Sequence, residues 1–483
     1  MQRSSRERIS TGDRNLDLLI QGGFPKGSLI LLAGNPGVGK TVFSANFICK
    51  GVRDFGEAGI YVSLAEDRNV FYHNISSHFG INCEECANKD RCIFLDYATV
   101  KEEGVSAILE SMLEEIMRVN AKRLVIDSFT AMAQAFKDPF ESRIVLHTIL
   151  GKIVRKTGCT TLLICETPFG ADMISSGMEE FVADGVIVLR ANKLEDRLFR
   201  DLEIKKLRGT FVREREIAFT LKGGFKVIPP FQPKFIEKPL KCKSIPNPPG
   251  KIATASPELN CILGGGFLAG SVAFLEIGDN ITLDQSHLSI LLPLQWNAID
   301  NGQPILSIPS PGFNHRLILA HMMQGGFSEE ELKRLVRFVE PKYLGGTGEE
   351  ESHIICIGGK NPDEDLETIN NEIFRLKQEH GKPPLLILSA NTFLFYYGVT
   401  CSLKMISTLS TVMREHNSLM LLLLRPSFEN LNRTLGALSD THLKIIREHG
   451  AVFLYGVKPR THLYAIEIDT PQGYPMPKLT PVV

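Results

Sequence analysis

The chain has 483 residues, of which 43% are apolar and 23% charged, and its formal net charge is −1. This length predicts two domains, and the composition is typical of a soluble globular protein. At the level of the whole chain, the near-zero net charge does not indicate a nucleic-acid-binding surface, and it does not exclude nucleic acid as a partner.

Targeting and redox signals are those of a cytoplasmic protein. The N-terminus MQRSSRERIS is polar and basic, and no apolar region of a signal peptide follows it. The most apolar stretches, such as SLMLLLLRP, are shorter than the ~18 residues that a membrane span requires. Ten cysteines in a chain without an export signal predict reduced thiols rather than disulfides. We therefore expect a cytoplasmic protein with no membrane contact.

An internal repeat divides the chain. Residues 8–28 read RISTGDRNLDLLIQGGFPKGS and residues 251–271 read KIATASPELNCILGGGFLAGS, which align without a gap and share a glycine pattern with flanking apolar positions. Between them, residues 229–250 are rich in proline and lysine, which is typical of an extended linker. The sequence therefore predicts a first domain over 1–228, a linker over 229–250 and a duplicated domain over 251–483.

The elements of the first half alternate between β-branched runs and helical patterns, which predicts a parallel sheet with crossover helices. The predicted strands are SLILLAG, GIYVSLA, CIFLDYA, RLVIDS, TTLLICE and GVIVLR. The predicted helices are KTVFSANFICKGVRDF, GVSAILESMLEEIMRV and ESRIVLHTILGKIVRKTG. The following segments RDLEIKKLRGT and REREIAFTLKGGFKVIP predict antiparallel strands added at one side. The predicted fold class is α/β.

The segment GNPGVGKT matches the phosphate-loop pattern G-x-x-x-x-G-K-[ST], and it lies between a predicted strand and a predicted helix. Glycines let consecutive backbone N–H groups point at phosphates, and the helix N-terminus adds its dipole. Lys40 would bind the β/γ-phosphates and Thr41 would offer its hydroxyl to Mg²⁺. The alternative is a glycine-rich turn that matches by chance. The predicted ATP-binding residues are Gly34, Asn35, Pro36, Gly37, Val38, Gly39, Lys40 and Thr41.

Two carboxylates follow predicted strands. Asp127 ends RLVID, where it would lie near the metal and the phosphate loop; the alternative is a cap of the next segment. Glu66 follows IYVSLA and is the candidate general base that polarises the attacking water. Locally, an exposed pair of Glu66 and Asp67 at the start of the next helix explains that segment nearly as well.

A cysteine cluster, HFGINCEECANKDRC, contains Cys83, Cys86 and Cys92, with His78 just before it. A C-x-x-C turn can bind Zn²⁺ or an iron–sulfur cluster, and Cys92 with His78 could complete four ligands. Reduced thiols or a redox-active pair are the alternative, since no second C-x-x-C follows.

Together these motifs resemble the KaiC branch of the RecA-like ATPases. The resemblance covers nearly all of residues 8–228, including ISTGDRNLDLLIQGGFPKGSLILLAGNPGVGKT, YVSLAED, LVIDS, EEFVADGVIVLR and LEIKKLRGT. It implies an ATPase that assembles as a ring, commonly a hexamer, with ATP at subunit interfaces. It also implies that Lys206 and Arg208 reach the neighbouring subunit's γ-phosphate as catalytic cations. From the residues alone, these two are cations on a strand, which are more often solvated.

The chain departs from this family in two places. The family usually has two consecutive glutamates after the second strand, where this chain has Ala65 and Glu66, so hydrolysis is expected to be slow or to rely on Glu66 alone. In the clock kinase of the family a Ser-Thr acceptor pair precedes the strand that matches VADGVIVL. Glu180 and Phe181 occupy those places here, which argues against autokinase activity although Ser175 and Ser176 lie nearby.

The second copy has lost the residues of this chemistry. The aligned loop pairs are Gly37 and Asn280, Gly39 and Thr282, Lys40 and Leu283, and Thr41 and Asp284. VSLAE corresponds to SIPS around 307–310, and LVIDS corresponds to LLILSAN, with Ser389 in the place of the metal aspartate. The second half is therefore predicted to be a pseudo-ATPase domain, serving as a scaffold, a ring layer or a partner surface.

Basic residues of the second half, in HLKIIREHG and YGVKPRTHLY, could bind an anion or an acidic partner. They are Lys444, Arg447, Lys458 and Arg460. Solvated charges at strand edges are the alternative interpretation.

The sequence thus predicts an ATP-binding, Mg²⁺-dependent and slow ATPase that acts in regulation or signal transduction through nucleotide-dependent ring assembly. Three alternatives stay open: a DNA recombination or repair ATPase, an ATP-sensing transcriptional regulator that does not hydrolyse ATP, and a Ser/Thr autokinase. The identity of any protein partner of the second half is not predicted.

Overall fold

The computed structural model describes residues 7–64, 66–81, 91–97, 105–133, 144, 153–167, 182–342, 352–426 and 431–483. The chain divides into two compact units. The first contains Met1–Pro230 together with Pro481–Val483, and the second contains Phe231–Thr480. Within the described ranges, no helix combines the length and apolar character needed to cross a membrane.

The first unit is built on a central sheet. Its strands are β1 (Arg8–Ile9), β2 (Phe24–Pro25), β3 (Leu29–Gly34), β4 (Gly59–Ser63), β5 (Cys92–Asp96), β6 (Arg123–Asp127), β7 (Thr160–Glu166), β8 (Gly185–Leu194), β9 (Arg197–Leu207), β10 (Glu216–Thr220) and β11 (Lys226–Val227). The sheet order is β11-β10-β9-β8-β3-β7-β6-β4-β5, while β1 and β2 pair separately. Strands from β8 to β5 are parallel, and β9 to β11 extend the sheet in antiparallel fashion. This arrangement confirms the predicted α/β class and its antiparallel extension.

The helices of the first unit cover both faces of this sheet. They are α1 (Arg14–Leu19), α2 (Lys40–Phe55), α3 (Arg68–Phe79), α4 (Val105–Val119), α5 (Phe129–Ala133) and α6 (Arg155–Thr157). Apolar residues of α2 and α3 pack on one face, and those of α4 and α5 pack on the other. Every residue of β3 is buried. Because both faces of this strand are covered, its sequence LILLAG is apolar throughout.

A buried arginine ties helix α2 to the sheet. The side chain of Arg123, in β6, is fully buried, and its Nε donates to Glu57 Oε2 at 2.7 Å. Its Nη1 donates to the carbonyl oxygens of Ser10 (2.7 Å) and Phe47 (2.9 Å). The guanidinium fits beside α2 because residue 51 is glycine, where an added Cβ would lie 2.1 Å from Arg123 Nε.

The second unit repeats the plan of the first. Its strands are β12 (Lys251–Ile252), β13 (Phe267–Leu268), β14 (Val272–Ile277), β15 (Ile305–Ile308), β16 (Val336–Pro341), β17 (Ile354–Ile357), β18 (Leu385–Ser389), β19 (Met420–Leu424), β20 (Thr441–Glu448), β21 (Ala451–Lys458), β22 (Tyr464–Asp469) and β23 (Met476–Pro481). The main sheet runs β23-β22-β21-β20-β14-β19-β18-β15-β16-β17. Strand by strand this is the order of the first sheet with β17 added at the end. The two halves are therefore tandem α/β units of one topology.

The helices of the second unit are α7 (Pro257–Ile262), α8 (Leu283–Ser286), α9 (Leu292–Asp300), α10 (His315–Met322), α11 (Glu329–Leu335), α12 (Pro362–His380), α13 (Ala390–Glu415) and α14 (Leu431–Leu438). A π-helical turn, His287–Leu291, joins α8 to α9, and a 3₁₀ turn, Met323–Gly325, follows α10. Large apolar cores lie on both faces of this sheet as well. The loss of the phosphate-loop residues has therefore left a well-packed fold.

The segment predicted as a linker is extended but not detached. Residues 229–250, all of which the structure describes, contain no helix or strand. Within the second unit, the backbone N–H of Leu240 donates to Gly473 (2.8 Å) and that of Cys242 donates to Gly325 (2.7 Å). Cys242 is buried in the core. The segment is thus a strap that belongs to the second unit from Phe231 onward.

We expect the substitution Gly51→Ala to destabilise the first unit. Helix propensity alone would stabilise the protein by about 1 kcal/mol. The new methyl group must displace the buried Arg123 and disturb its bond to Glu57. We therefore expect the free energy of unfolding to fall by about 2 kcal/mol or more. Urea denaturation followed by circular dichroism measures it.

The matched control for that substitution is Arg53→Ala, an exposed position of the same helix. Its effect should stay within about 0.5 kcal/mol. A Gly51→Ala protein as stable as the wild type, or more stable, would show that Arg123 does not constrain this helix.

Candidate functional site

The predicted phosphate loop lies between β3 and α2, at the carboxyl edge of the sheet. Gly37 and Gly39 have φ angles of +78° and +110°, a left-handed conformation that favours glycine. A Cβ added to Gly37 would meet no atom within 4 Å, so open space lies beside the loop there. A Cβ added to Gly34 would lie 2.5 Å from the carbonyl oxygen of Leu189. The glycines therefore give both the curl of the loop and its close contact with β8.

Lys40 folds back over this loop. Its Nζ donates to the carbonyl oxygens of Gly34 (2.8 Å) and Asn35 (2.9 Å), and the residue is buried. Burial lowers the pKa of Lys40, while the charges of Glu166 and Asp127 act to raise it. The ammonium group is thus held at the loop by bonds that a phosphate oxygen could replace.

Asp127 lies at the end of β6, next to the start of α2. Its Oδ2 accepts hydrogen bonds from Thr41 Oγ1 (3.2 Å) and from Tyr61 OH (2.6 Å). Burial raises the pKa of Asp127, whereas these two hydroxyls and the charge of Lys40 lower it. A hydroxyl and a carboxylate oxygen together form the hard-oxygen set that Mg²⁺ prefers. The residues present at this place therefore fit a magnesium ion.

The adjacent acidic residues Glu66 and Asp67 have different surroundings. Asp67 caps α3, since its Oδ1 accepts from the backbone N–H groups of Asn69 (2.8 Å) and Val70 (3.1 Å). Glu66 is exposed, and its backbone N–H donates to Ser63 Oγ at 3.0 Å. Partial burial and then the charges of Asp127 and Asp67 raise the pKa of Glu66. Its carboxylate therefore lies in the electrostatic field of Asp127.

Lys206 lies near the end of β9, and Arg208 directly follows that strand. Lys206 Nζ donates to the carbonyl oxygen of Ala183 at 2.8 Å. Arg208 Nη1 lies 3.7 Å from Asp184 Oδ1, and more than half of its side chain is exposed. The structure thus brings both cations to the segment before β8, and their predicted contact with a neighbouring subunit stays a prediction.

The predicted cysteine site falls mostly outside the described residues. Cys83 and Cys86 lie outside the described part of the chain, while Cys92 is a buried free thiol at the start of β5. His78 lies on α3, where its Nδ1 contacts Ser77 Oγ at 2.9 Å. Among the residues that the structure describes, no group of three or more histidine, cysteine, aspartate or glutamate side chains could hold a metal. Ala65, Ser175, Ser176, Glu180 and Phe181 also lie outside the described part of the chain.

Three residues of the site were not predicted. Glu166 is the last residue of β7 and pairs with Gly34 across the sheet. Arg200 Nη1 donates to the carbonyl oxygen of Val38 at 3.2 Å, inside the phosphate loop. The third is Tyr61, the donor to Asp127. The position of Glu166 after TTLLIC could have indicated it, because the carboxyl ends of parallel strands meet at one edge.

The corresponding loop of the second unit closes on itself. Thr282 caps α8 in a capping box with Gln285, and its φ is −76°. Leu283 stands where the lysine would be. Arg425 follows β19, and its guanidinium donates to the carbonyl oxygen of Ile281 (3.0 Å) and to Ser286 Oγ (3.0 Å). A cation from a neighbouring strand therefore holds this loop from outside.

Asp284, which aligns with Thr41, is part of a different contact. Its Oδ1 lies 3.2 Å from His321 Nε2, and His321 Nδ1 lies 3.3 Å from His287 Nδ1. Burial lowers the pKa of His287 to about 3, so this imidazole stays neutral. The position of the Thr41 hydroxyl is thus taken in the second unit by a carboxylate that contacts a mostly buried histidine.

The protein-family model "ATPase: KaiC" matches residues 9–231. The chain is 32% identical over 277 residues to the circadian clock oscillator protein KaiC of Parasynechococcus marenigrum (strain WH8102), covering 55% of this chain and 52% of the relative. It is 29% identical over 281 residues to the circadian clock protein KaiC3 of Synechocystis sp. (strain ATCC 27184 / PCC 6803 / Kazusa), covering 56% and 54%.

A solved structure, that of the KaiC-like protein PH0186 from the hyperthermophilic archaeon Pyrococcus horikoshii OT3, is 34% identical. It covers 47% of this chain and 100% of its own, with a TM-score of 0.43. The chain spans about half the length of the curated relatives. Residues 9–231 therefore match the KaiC branch of the RecA-like P-loop ATPases.

Proposed function

We propose that the first unit binds ATP with Mg²⁺ and hydrolyses it slowly, and that the chain uses the bound nucleotide to control ring assembly in a regulatory or signalling role. The observation that carries this proposal is the arrangement at the carboxyl edge of the first sheet. A buried lysine is held over a glycine-rich loop, and a hydroxyl–carboxylate pair lies beside it.

Binding would exchange the partners of Lys40. The ammonium group would leave the carbonyl oxygens of Gly34 and Asn35 for phosphate oxygens, while the N–H groups of the loop and of the helix start contact the same phosphates. Thr41 and Asp127 would hold Mg²⁺, whose charge favours the negative charge that develops on the phosphates. Glu166 and Asp127 keep the lysine positively charged against the effect of burial.

Glu66 would position and polarise the attacking water. Its pKa is raised by partial burial and by its acidic neighbours, which makes it a better base than a fully solvated glutamate. It acts without the second glutamate that the family usually has, because residue 65 is alanine. Slow turnover is the expected consequence.

Ring assembly follows from the family resemblance, in which Lys206 and Arg208 act on the neighbouring subunit. Arg208 is exposed enough to reach another chain. The second unit supplies the surface for a protein partner in this proposal, since its own loop is held by Arg425 and closed by a capping box. A cytoplasmic location and a hexameric ring belong to the same proposal.

A second candidate is an ATP sensor that binds the nucleotide without hydrolysing it. The exposure of Glu66 and the alanine before it favour this alternative. Phosphate release by the purified protein separates the two functions.

We expect Lys40→Ala to weaken ATP binding at least about 100-fold, because two charge-assisted hydrogen bonds are lost. Isothermal titration calorimetry with Mg-ATP measures the affinity. The matched control is Lys26→Ala, which removes an exposed lysine that pairs with Glu7 on the surface and should leave the affinity unchanged. ATP affinity retained in a folded Lys40→Ala protein would overturn the assignment of this loop.

We expect Glu66→Gln to lower phosphate release about 100-fold or more while ATP affinity is kept. In the wild type, Glu66 loses its base form as the pH falls through its raised pKa. Turnover should therefore begin to fall while the pH is still above 4.5, the ordinary pKa of a glutamate. The substitution should remove that dependence. Asp67→Asn is the control, since asparagine caps a helix as well as aspartate does; it should keep turnover at neutral pH and move the acidic loss of turnover to lower pH, because the charge of Asp67 no longer raises the pKa of Glu66. Equal turnover in Glu66→Gln and wild type would contradict the role of the base.

The mass of the particle in solution tests ring assembly. With Mg-ATP we expect about six copies of the 53.7 kDa chain in light scattering, and a smaller species after the nucleotide is removed. Arg208→Ala should lower turnover in the assembled form by about 1000-fold, as loss of an arginine supplied in trans does in other phosphoryl-transfer enzymes. A monomer in both conditions would contradict ring assembly.

A further inference from the structure

Tyr61 reaches the metal aspartate by virtue of the sheet register. In the parallel sheet, Tyr61 of β4 pairs with Val125 of β6. Asp127 lies two residues after Val125, so its side chain is on the same face of the sheet as that of Tyr61. A tyrosine is long enough to extend from its own position to the end of the neighbouring strand, and its hydroxyl lies 2.6 Å from Asp127 Oδ2.

The ring of Tyr61 is fixed by aromatic packing. It lies parallel to the ring of Phe94, at 5.5 Å between centroids, and its centroid is 4.5 Å from that of Phe71. The residue is 2% exposed. Its hydroxyl therefore has a defined position at the carboxylate, where it donates to Oδ2, the same oxygen that accepts from Thr41.

The second unit has lost the tyrosine together with the aspartate. The paired registers place Ser307 of β15 opposite Ile387 of β18, as Tyr61 is placed opposite Val125. Ser389 follows Ile387 by two residues, where the first unit has the metal aspartate. The second unit, whose loop lacks the lysine, therefore also lacks the counterparts of both Tyr61 and Asp127.

We propose that Tyr61 is a positioning residue for the magnesium site, which holds Asp127 in the rotamer that binds the metal with Thr41. This inference rests on the proposed function of the first unit. Tyr61 would act through Asp127 and would not contact the nucleotide. Residues that orient a metal ligand commonly change metal affinity about 10–100-fold when they are replaced.

The test compares Tyr61→Phe with wild type in the full-length chain. Phenylalanine keeps the ring packing and removes only the hydroxyl. Electron paramagnetic resonance measures Mn²⁺ binding to the protein saturated with the β,γ-imido analogue of ATP, and a fluorescent form of that analogue measures nucleotide affinity in EDTA. We expect Mn²⁺ to bind about 10-fold more weakly, with metal-free nucleotide affinity and the melting temperature unchanged.

Tyr72→Phe is the matched control, because Tyr72 belongs to the same aromatic cluster around Phe71 and Phe94. It should leave the Mn²⁺ affinity unchanged. The proposal is overturned if Tyr61→Phe binds Mn²⁺ as tightly as wild type, or if Tyr72→Phe weakens Mn²⁺ binding equally. It is also overturned if metal-free nucleotide affinity falls by the same factor, which would indicate a general structural role. Wild-type protein that binds no nucleotide would instead contradict the proposed function itself.

Discussion

The ammonium group of Lys40 is buried among backbone carbonyls, and the carboxyl edge of the first sheet is arranged around that charge. A lysine in this position needs partners, because burial disfavours its charged form. The carbonyl oxygens of Gly34 and Asn35 accept hydrogen bonds from it, and Asp127 and Glu166 supply negative charge from two neighbouring strands. These groups come from different elements, so the charge is balanced only where the loop meets the ends of the two strands.

The second unit also has a cation at this loop, but the cation comes from the end of a strand and not from the loop itself. Arg425 lies at the position that corresponds to Glu166 of the first unit. The strand registers show this, because Met420 pairs with Val272 as Thr161 pairs with Leu29. Arg425 follows Met420 at the same distance along the chain as Glu166 follows Thr161. Leucine has replaced the loop lysine, so a cation now comes from the strand instead. Its guanidinium is also stacked over the ring of Phe313, at 5.3 Å. The contacts of this guanidinium are thus made within the second unit, to the loop itself and to an aromatic ring.

The sequence was sufficient for the features that depend on local order. The phosphate loop, the strand that ends at Asp127 and the duplication are all visible as patterns, and the tandem α/β architecture agrees with them. The contacts of Tyr61, Arg200 and Arg425 were not predicted, because each joins elements that are distant in the chain. The sequence places Tyr61 only within the predicted strand GIYVSLA, since nothing local indicates that β4 lies beside β6. The identity of neighbouring strands decides these contacts, and hydrophobic patterning does not specify it.

The two units also bear on the part that Lys206 plays. Lys458 pairs with His442 as Lys206 pairs with Val186, and a bulge follows at the same place in both ladders. Lys458 Nζ donates to the carbonyl oxygen of Ser439 at 2.7 Å, which matches the bond from Lys206 to Ala183. This lysine is therefore present in a unit whose loop is closed to phosphate. The hydrogen bond of Lys458 to the residues before β20 accounts for a lysine at this position of the second unit. Lys206 makes the same bond before β8, so it has this structural role independently of any contact with a nucleotide.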